Sequence, residues 1–444
     1  MKPRLFSAAI AALFVFTVHS TLAGSATWNF NPVSNDWNDP LNWTPNTVPN
    51  RATDVATFAT SNITDIAVTA DTTVGSIVYN AGASAFIITA NPSVDLTFAR
   101  TGIINNSGTL QNFVVEGPFG IIDFTGSATA ADATITAKGG TVEGFYGGNV
   151  GFHDNSTAGN ATIILNQGVK TGEGTTVGGL GAFYDSAIGG TARFICNGGL
   201  SITNGQQVTI GSLEGRGGVL IGGKIGDGFG SVLAVGSNNL STHYAGGITF
   251  FGPFIKTGTG TLTLTGAGPG HGGIHVNEGI LIVNTAGESG LGHGKVTVEG
   301  GTLAGSGIIA GLVTVGSGSG AGGFLAPAAG TPRKATLTLQ SKLTFKNDGT
   351  YTYTFEGNGG DVESDEVIAN GVTIKNATVN LVGTTPAALE TGTVLTVISN
   401  TSANPISGTF SNLADGAIVT INGNKLQASY TGGDGNDLTL TVVP

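Results

Sequence analysis

The fold is decided by three twelve-residue stretches that align without gaps: Phe124-TGSATAADAT-Ile135, Phe152-HDNSTAGNAT-Ile163 and Phe183-YDSAIGGTAR-Phe194. Their starts lie 28 and 31 residues apart. Each stretch opens on an aromatic residue, runs through small and hydroxyl residues, and closes on an apolar residue. A period of this length indicates a chain built from repeated structural units.

We interpret each stretch as one coil of a parallel β-helix. Small residues let the chain turn tightly, and the recurring Phe and Ile residues are expected to stack into ladders inside the tube, with coils about 4.8 Å apart. Each coil contacts mainly its neighbours, so both open ends need a cap. A propeller would repeat every 40–50 residues or so with its own blade signature, and a sandwich needs no such recurrent turn.

Composition supports an all-β repetitive protein. The 444 residues include 75 glycines, and only 10% of them are charged, against about 25% in an average protein. The mean hydropathy of +0.22 shows that the chain can bury a core. The formal net charge of −11 argues against nucleic-acid binding and against a polybasic membrane surface. The lone Cys196 excludes an intramolecular disulfide and is expected to be a small buried residue at a strand end.

Residues 1–23 have the pattern of a secretory signal peptide. Lys2 and Arg4 precede an apolar run that is too short to span a bilayer, and Thr21 and Ala23 place small residues before a cleavage site at Gly24. No other long apolar run follows. We therefore expect a secreted protein, extracellular or at the cell surface, without a membrane-spanning segment in the mature chain.

The stretch Phe254-IKTGTGTLTLTGAGPGHGGIHVNEGILIVN-Thr285 resembles the autotransporter-associated β-strand repeat. The match extends over 254–327, including Gly294-KVTVEGGTLAGSGIIAGLVTVGSG, and the likeness is weaker over roughly 100–440. Departures from the pattern fall at Pro269-Gly270-His271 and Ile280. The resemblance implies a right-handed, single-stranded parallel β-helix of the passenger type, often adhesive. Such passengers precede a C-terminal translocator barrel; the sequence ends at Pro444, so we expect a passenger-like chain that lacks one.

We divide the chain into four parts. These are the signal peptide (1–23), a Trp-rich N-terminal cap with the first coils (24–80), the β-helix body (81–345) containing the repeat at 254–327, and C-terminal coils with a cap (346–444).

Three places could bind a ligand or metal ion. Trp28, Trp37 and Trp43 are the only tryptophans, and they form either an N-terminal cap or a glycan-stacking platform; the cap is favoured. Gly432-Gly-Asp-Gly-Asn-Asp437 resembles a calcium-binding nonapeptide, with Asp434, Asn436 and Asp437 as ligands, although a single copy favours a tight turn. The acidic cluster at 361–366 is a second calcium candidate, with a solvated turn as the favoured interpretation.

We therefore expect a non-catalytic, structural or adhesive β-helix, without a cofactor, that presents a polar strand surface to a glycan, a partner protein or another copy of itself. Two alternatives stay open: a carbohydrate-active enzyme similar to pectate lyases, and a calcium-stabilised binding module. The enzyme requires Asp, Arg or Lys side chains from three adjacent coils to meet in one groove.

Overall fold

The computed structural model describes residues 24–141, 146–169, 177–203, 205–222, 230–320, 322–330, 334–358 and 361–444. The expected signal peptide lies outside these residues. Among the described residues, no helix is both long enough and apolar enough to cross a membrane. Within these ranges, a single turn of 3₁₀ helix at Pro40–Asn42 is the one helical element, and the remainder consists of strands, turns and irregular segments.

The strands follow one another at short intervals through the described residues. The first group comprises β1 (Ala26–Trp28), β2 (Trp43–Thr44), β3 (Val55–Phe58), β4 (Asp65–Val68), β5 (Thr72–Tyr79), β6 (Ile87–Ala90), β7 (Asp95–Asn105), β8 (Asn112–Val115), β9 (Ile121–Phe124), β10 (Thr134–Ala137), β11 (Asn149–Phe152), β12 (Thr162–Leu165), β13 (Leu180–Phe183) and β14 (Arg193–Cys196). The second group comprises β15 (Gly199–Ile202), β16 (Gln207–Ile210), β17 (Ser212–Gly215), β18 (Gly218–Ile221), β19 (Val232–Val235), β20 (Thr242–Tyr244), β21 (Ile248–Phe250), β22 (Phe254–Lys256), β23 (Thr261–Leu264), β24 (Ile274–Val276), β25 (Ile280–Val283), β26 (Val296–Val298), β27 (Thr302–Ala304), β28 (Ile308–Ile309) and β29 (Val313–Val315). The third group comprises β30 (Phe324–Leu325), β31 (Thr336–Leu339), β32 (Leu343–Phe345), β33 (Thr350–Asn358), β34 (Asp361–Ser364), β35 (Glu366–Ala369), β36 (Val372–Ile374), β37 (Thr378–Thr384), β38 (Val394–Asn400), β39 (Ile418–Ile421), β40 (Asn424–Gly432) and β41 (Asp437–Val443).

These strands form three long faces that run along one axis. Face 1 is the sheet β2-β1-β3-β5-β7-β9-β11-β13-β15-β18-β21, and isolated bridges lead from it to the later sheet that begins at β28. Face 2 is the parallel ladder from β4 to β33. Face 3 is the ladder β16-β19-β22-β24-β26-β29-β32-β36, and between residues 129 and 188 this face is represented by single bridges such as Thr129–Thr157.

Successive coils visit the faces in a fixed order, as in the path β15 on face 1, β16 on face 3 and β17 on face 2. Nearly all pairings between coils are parallel and in register. The prediction of an all-β, right-handed parallel β-helix is therefore confirmed. The antiparallel unit β38-β41-β40-β39 closes the C-terminal end.

The three aligned stretches stack as predicted. The rings of Phe124, Phe152 and Phe183 lie directly above one another, and Ile135 pairs with Ile163 on the next coil. In β12 the side chains alternate between half-exposed and fully buried, because successive residues of a strand point to opposite faces. The apolar residues of this alternating pattern fill the inside of the tube.

The Trp-rich segment packs onto the first coil, and we interpret it as the predicted N-terminal cap. Trp28, Trp37 and Trp43 are 2%, 0% and 0% exposed, and they pack edge to face on one another and against Phe58 of the first coil. Each indole N–H donates to a backbone carbonyl. The hypothesis that these rings contact a glycan is therefore corrected, because no ring face is available for a sugar to stack on.

Cys196 is a buried residue at the end of β14, as expected. Burial raises the pKa of its thiol to about 12. A thiol that stays protonated is a poor nucleophile, so Cys196 serves packing.

Candidate ligand groove

A column of polar residues follows one edge of face 2. Each residue stands directly after a face-2 strand, and the strands pair in register from β8 to β10, β12, β14 and β17. The column is therefore Glu116, Lys138, Asn166, Asn197 and Arg216 in order along the axis. Four steps of about 4.8 Å give it a length of roughly 19 Å.

The turns beside this column leave an open groove of about 540 Å³. Its lining contains amide, hydroxyl and basic side chains and one exposed valine: Lys138, Gly139, Thr141, Asn166, Gln167, Val169, Asn197 and Arg216. Gly139 shows how tightly the turns approach, since a Cβ there would lie 2.0 Å from the carbonyl oxygen of Gln167. Only glycine allows the two coils to come this close.

Most of the charged and amide side chains in the groove make no contact with other polar groups of the described residues. In the part of the chain that the structure describes, no hydrogen bond engages the side chains of Asn166, Gln167 or Asn197, and Arg216 has no ion-pair partner. Lys138 differs, because its Nζ lies 2.6 Å from Glu116 Oε1. Three amides and one guanidinium are therefore available to a ligand along the groove.

Two exposed aromatic rings lie near the Lys138 end of the groove. Phe119 and Tyr146 are 46% and 56% exposed, and their ring centroids are 6.2 Å apart. The backbone holds Tyr146 beside the column, because Gly148 N donates to the Lys138 carbonyl at 2.8 Å. Exposed rings with one apolar face are suited to packing against the C–H face of a sugar.

A second groove lies on face 3, and several of its polar groups already bond to the protein itself. It measures about 460 Å³ and is lined in part by Ser237, Asn239 and Glu278. Asn239 Oδ1 accepts from Thr259 N, Glu278 Oε2 accepts from Gly258 N, and Ser237 Oγ donates to the Gly190 carbonyl. These groups hold turns together, so the groove at the edge of face 2 is the better candidate site.

The calcium candidates near the C-terminus belong to the turn between β40 and β41. Asp437 Oδ1 accepts a hydrogen bond from Asn400 N, and Asn436 Nδ2 donates to the Ser402 carbonyl. Asp434 is exposed. Within the described ranges, no three His, Cys, Asp or Glu side chains are grouped so that they could bind a metal ion. These contacts match the tight-turn interpretation, and calcium binding at this turn stays a prediction.

The acidic segment near 361–366 is not a simple solvated turn, contrary to expectation. Asp365 is only 1% exposed, and its Oδ1 accepts from Ala335 N at 3.0 Å. Burial raises the pKa of this carboxyl, although the hydrogen bond from Ala335 acts in the opposite direction. Asp365 therefore anchors the chain that leads into β35.

On face 1, outside the groove, a histidine contacts a carboxylate. His153 Nε2 lies 3.3 Å from Asp123 Oδ1 on face 1, and its ring stacks on Tyr184 at 4.4 Å. Burial raises the pKa of Asp123, while His153 lowers it, with a net rise. The two rings are nearly parallel, so one face of the His153 ring packs against one face of the Tyr184 ring.

A lyase requires charged side chains from three adjacent coils to meet, and the groove does not provide that arrangement. Lys138 is neutralised by Glu116 on the adjacent coil, and Arg216 stands three coil steps, or about 14 Å, from Lys138 along the column. Asn166 and Asn197 occupy the two coils between them. This arrangement is suited to holding an extended polar molecule.

Fold and groove together define a class of protein: an elongated β-helix with a polar groove parallel to its axis. No family model matches the sequence, and no curated protein matches it. Among solved structures, the crystal structure of the Haemophilus influenzae Hap adhesin aligns with 88% of this chain and 64% of its own, at 12% identity and a TM-score of 0.28. The aligned region is thus less than two thirds of the Hap chain. The resemblance of 254–327 to the autotransporter-associated repeat stays a prediction.

Sequence reasoning did not find the groove. The column residues that line it are 19 to 31 positions apart from one coil to the next, and none belongs to a recognisable motif. One signal was available: each column residue directly follows a short apolar strand. When the coils beyond the three clear repeats are also aligned by the last residue of their face-2 strand, the position after that residue is polar in consecutive coils.

Proposed function

We propose that this protein is an extracellular, non-catalytic adhesive β-helix that binds an extended glycan along the groove at the edge of face 2. The observation that carries the proposal is the set of unengaged side chains of Asn166, Gln167, Asn197 and Arg216, spaced along the axis. Planar amides donate and accept hydrogen bonds at once, which matches the hydroxyl groups of a sugar.

The shape of the groove favours a polymer over a small molecule. It is open and its polar groups recur at each coil step, whereas sites for small molecules are enclosed and mostly apolar. A chain of sugars placed along the axis would meet a similar polar group at each step. Phe119 and Tyr146 would add apolar contact at one end.

Binding to a panel of immobilised glycans tests the proposal. The wild-type protein is compared with Asn166→Ala/Asn197→Ala/Arg216→Ala and with a control, Arg51→Ala/Asn370→Ala, that alters exposed residues elsewhere. We expect the groove variant to lose binding and the control to retain it. Equal binding by all three proteins would refute the groove. Shortened glycan products in the binding reaction would refute the non-catalytic part.

A further inference from the structure

Face 3 carries a row of hydroxyl groups in its C-terminal half. Thr314 pairs with Thr344, Thr344 with Thr373, and Thr373 with Ser407 by a parallel bridge. These residues point outward, because the flanking strand residues such as Val313 and Val315 are buried in the core. The row is half-buried to exposed along its length.

Lysines flank this row on both sides. Lys342 and Lys346 directly flank β32, two positions before and after Thr344, and backbone hydrogen bonds to β29 continue at both lysines, so we infer that the strand alternation places all three side chains on the same side. Lys375 follows β36 at the level of Lys346, since Phe345 pairs with Ile374. Lys295 precedes β26 in the column of Lys342, two coils away. We call this surface the lysine–threonine strip.

The positive charge of the strip is not neutralised. In the described part of the chain, Lys295, Lys342 and Lys375 make no ion pair, and Lys346 Nζ donates to the Ser317 carbonyl. The nearby acids face other groups. Glu299 lies 3.5 Å from His275, and Asp348 accepts hydrogen bonds from the turn at 317–320. A basic surface on a chain with a net charge of −11 therefore favours binding of an anionic partner at that surface.

We propose that the lysine–threonine strip binds an anionic polysaccharide, one that carries sulfate or carboxylate groups along its chain. The ammonium groups of the strip neutralise those groups, and the hydroxyl row bonds to the sugar oxygens. No aromatic side chain stands among the strip residues to stack on nucleobases, which favours a polysaccharide over a nucleic acid. The strip lies on a different face from the groove at the edge of face 2, and it carries four lysines where the groove carries one arginine without an ion-pair partner.

Binding of the full mature protein to heparin, with neutral dextran as reference, tests the strip. The strip variant is Lys295→Gln/Lys342→Gln/Lys375→Gln, and the control with equal charge loss is Lys334→Gln/Lys425→Gln/Arg51→Gln. We expect the strip variant to bind heparin about ten-fold more weakly, or weaker still, and the control to bind it about as tightly as wild type. Added salt should weaken the binding of heparin by the wild-type protein. Thermal melts of all proteins confirm folding.

Further measurements separate the strip from its alternatives. Thr344→Val/Thr373→Val keeps every charge, so a weaker affinity for heparin in this variant assigns a role to the hydroxyl row. The groove variant Asn166→Ala/Asn197→Ala/Arg216→Ala removes one positive charge where the strip variant removes three, so it should keep most of the wild-type affinity for heparin. Three outcomes would overturn the proposal. The strip variant and its control could lose affinity equally, the wild type could fail to bind heparin, or the wild type could bind a single-stranded oligonucleotide more tightly than heparin.

Discussion

Phe124 and Phe152 stack ring on ring across two neighbouring coils, with centroids 5.1 Å apart and planes 12° from parallel. The stack continues to Phe98 at 4.7 Å on one side and to Phe183 at 5.0 Å on the other. Parallel pairing of the strands brings identical positions of each coil to the same height. One aromatic position per repeat therefore becomes a continuous apolar column.

Replacement of one ring in this column is expected to cost the protein much of its stability. Phe152→Ala leaves a cavity between two rings, and Phe→Ala in a packed core costs about 3–5 kcal/mol. Urea denaturation followed by circular dichroism measures the change. Phe251→Ala is the control, because Phe251 is 62% exposed, and its midpoint should stay near wild type. Equal effects of the two variants would contradict a role for the stack.

Lys256 is expected to stabilise the coil junction between β22 and β24. Its side chain is buried, and Nζ donates to the carbonyls of Thr257 at 2.7 Å, Gly258 at 2.8 Å and Glu278 at 3.2 Å. Lys256→Met would leave these carbonyls without their donor, at a cost of about 2 kcal/mol or more in unfolding free energy. Lys425→Met, at an exposed lysine, should change the urea midpoint little. A Lys256→Met protein as stable as wild type would show that the carbonyls find other donors.

Asp348 is expected to make the stability of the protein depend on pH in the acid range. Burial alone would raise the pKa of this carboxyl, but hydrogen bonds from Gly320 N, Gly318 N and Ser317 outweigh burial and lower the pKa to about 2. An unfolded Asp titrates near pH 3.9 or so, so the unfolded state binds the proton more readily. The stabilisation is present above about pH 4 and is lost as the pH falls toward 2.

Asp348→Asn checks this dependence. The variant should unfold at lower urea concentration than wild type near neutral pH, and the difference should shrink as the pH falls from about 4 to 2. Asp434→Asn, at an exposed turn position, is the matched control. A difference that stays constant with pH would contradict the assignment to Asp348.

The tryptophans should report on the cap and not on a ligand. Trp37 is fully buried, and its indole N–H donates to the Pro49 carbonyl at 3.2 Å. We expect a blue-shifted emission, little quenching by acrylamide, and no change on glycan binding. Trp37→Ala should destabilise the protein by about 3–5 kcal/mol through loss of cap packing. Quenching of the emission by a bound sugar would contradict the buried cap.

Arg216 should govern the preference of the groove for acidic over neutral sugars. A guanidinium holds a carboxylate through two parallel hydrogen bonds, which a lysine ammonium cannot reproduce. Arg216→Lys should therefore weaken binding of a uronic-acid oligosaccharide and leave binding of a neutral one nearly unchanged, as isothermal titration would measure. Equal loss for both sugars would contradict this role.

The ladders could be predicted because their signal is local and repeated. Phe124, Phe152 and Phe183 occupy the same position in three aligned stretches, and an apolar residue that recurs at one position needs a common interior. The cap was predicted because an open solenoid end must be covered, and the buried tryptophans are consistent with that prediction. The hypothesis of a glycan on the tryptophans failed because the sequence shows that aromatic residues are clustered but not which way they face.

The sequence by itself determined the class of fold, the direction of the apolar side chains and the need for caps, because these follow from the spacing of residue types along one strand or one coil. Only the tertiary structure decided which polar residues share a surface. One edge of face 2 brings together Lys138, Asn166, Asn197 and Arg216, because coils of unequal length still pair their strands in register. The hydrogen-bonded ladder sets that register, and the number of residues between the strands does not.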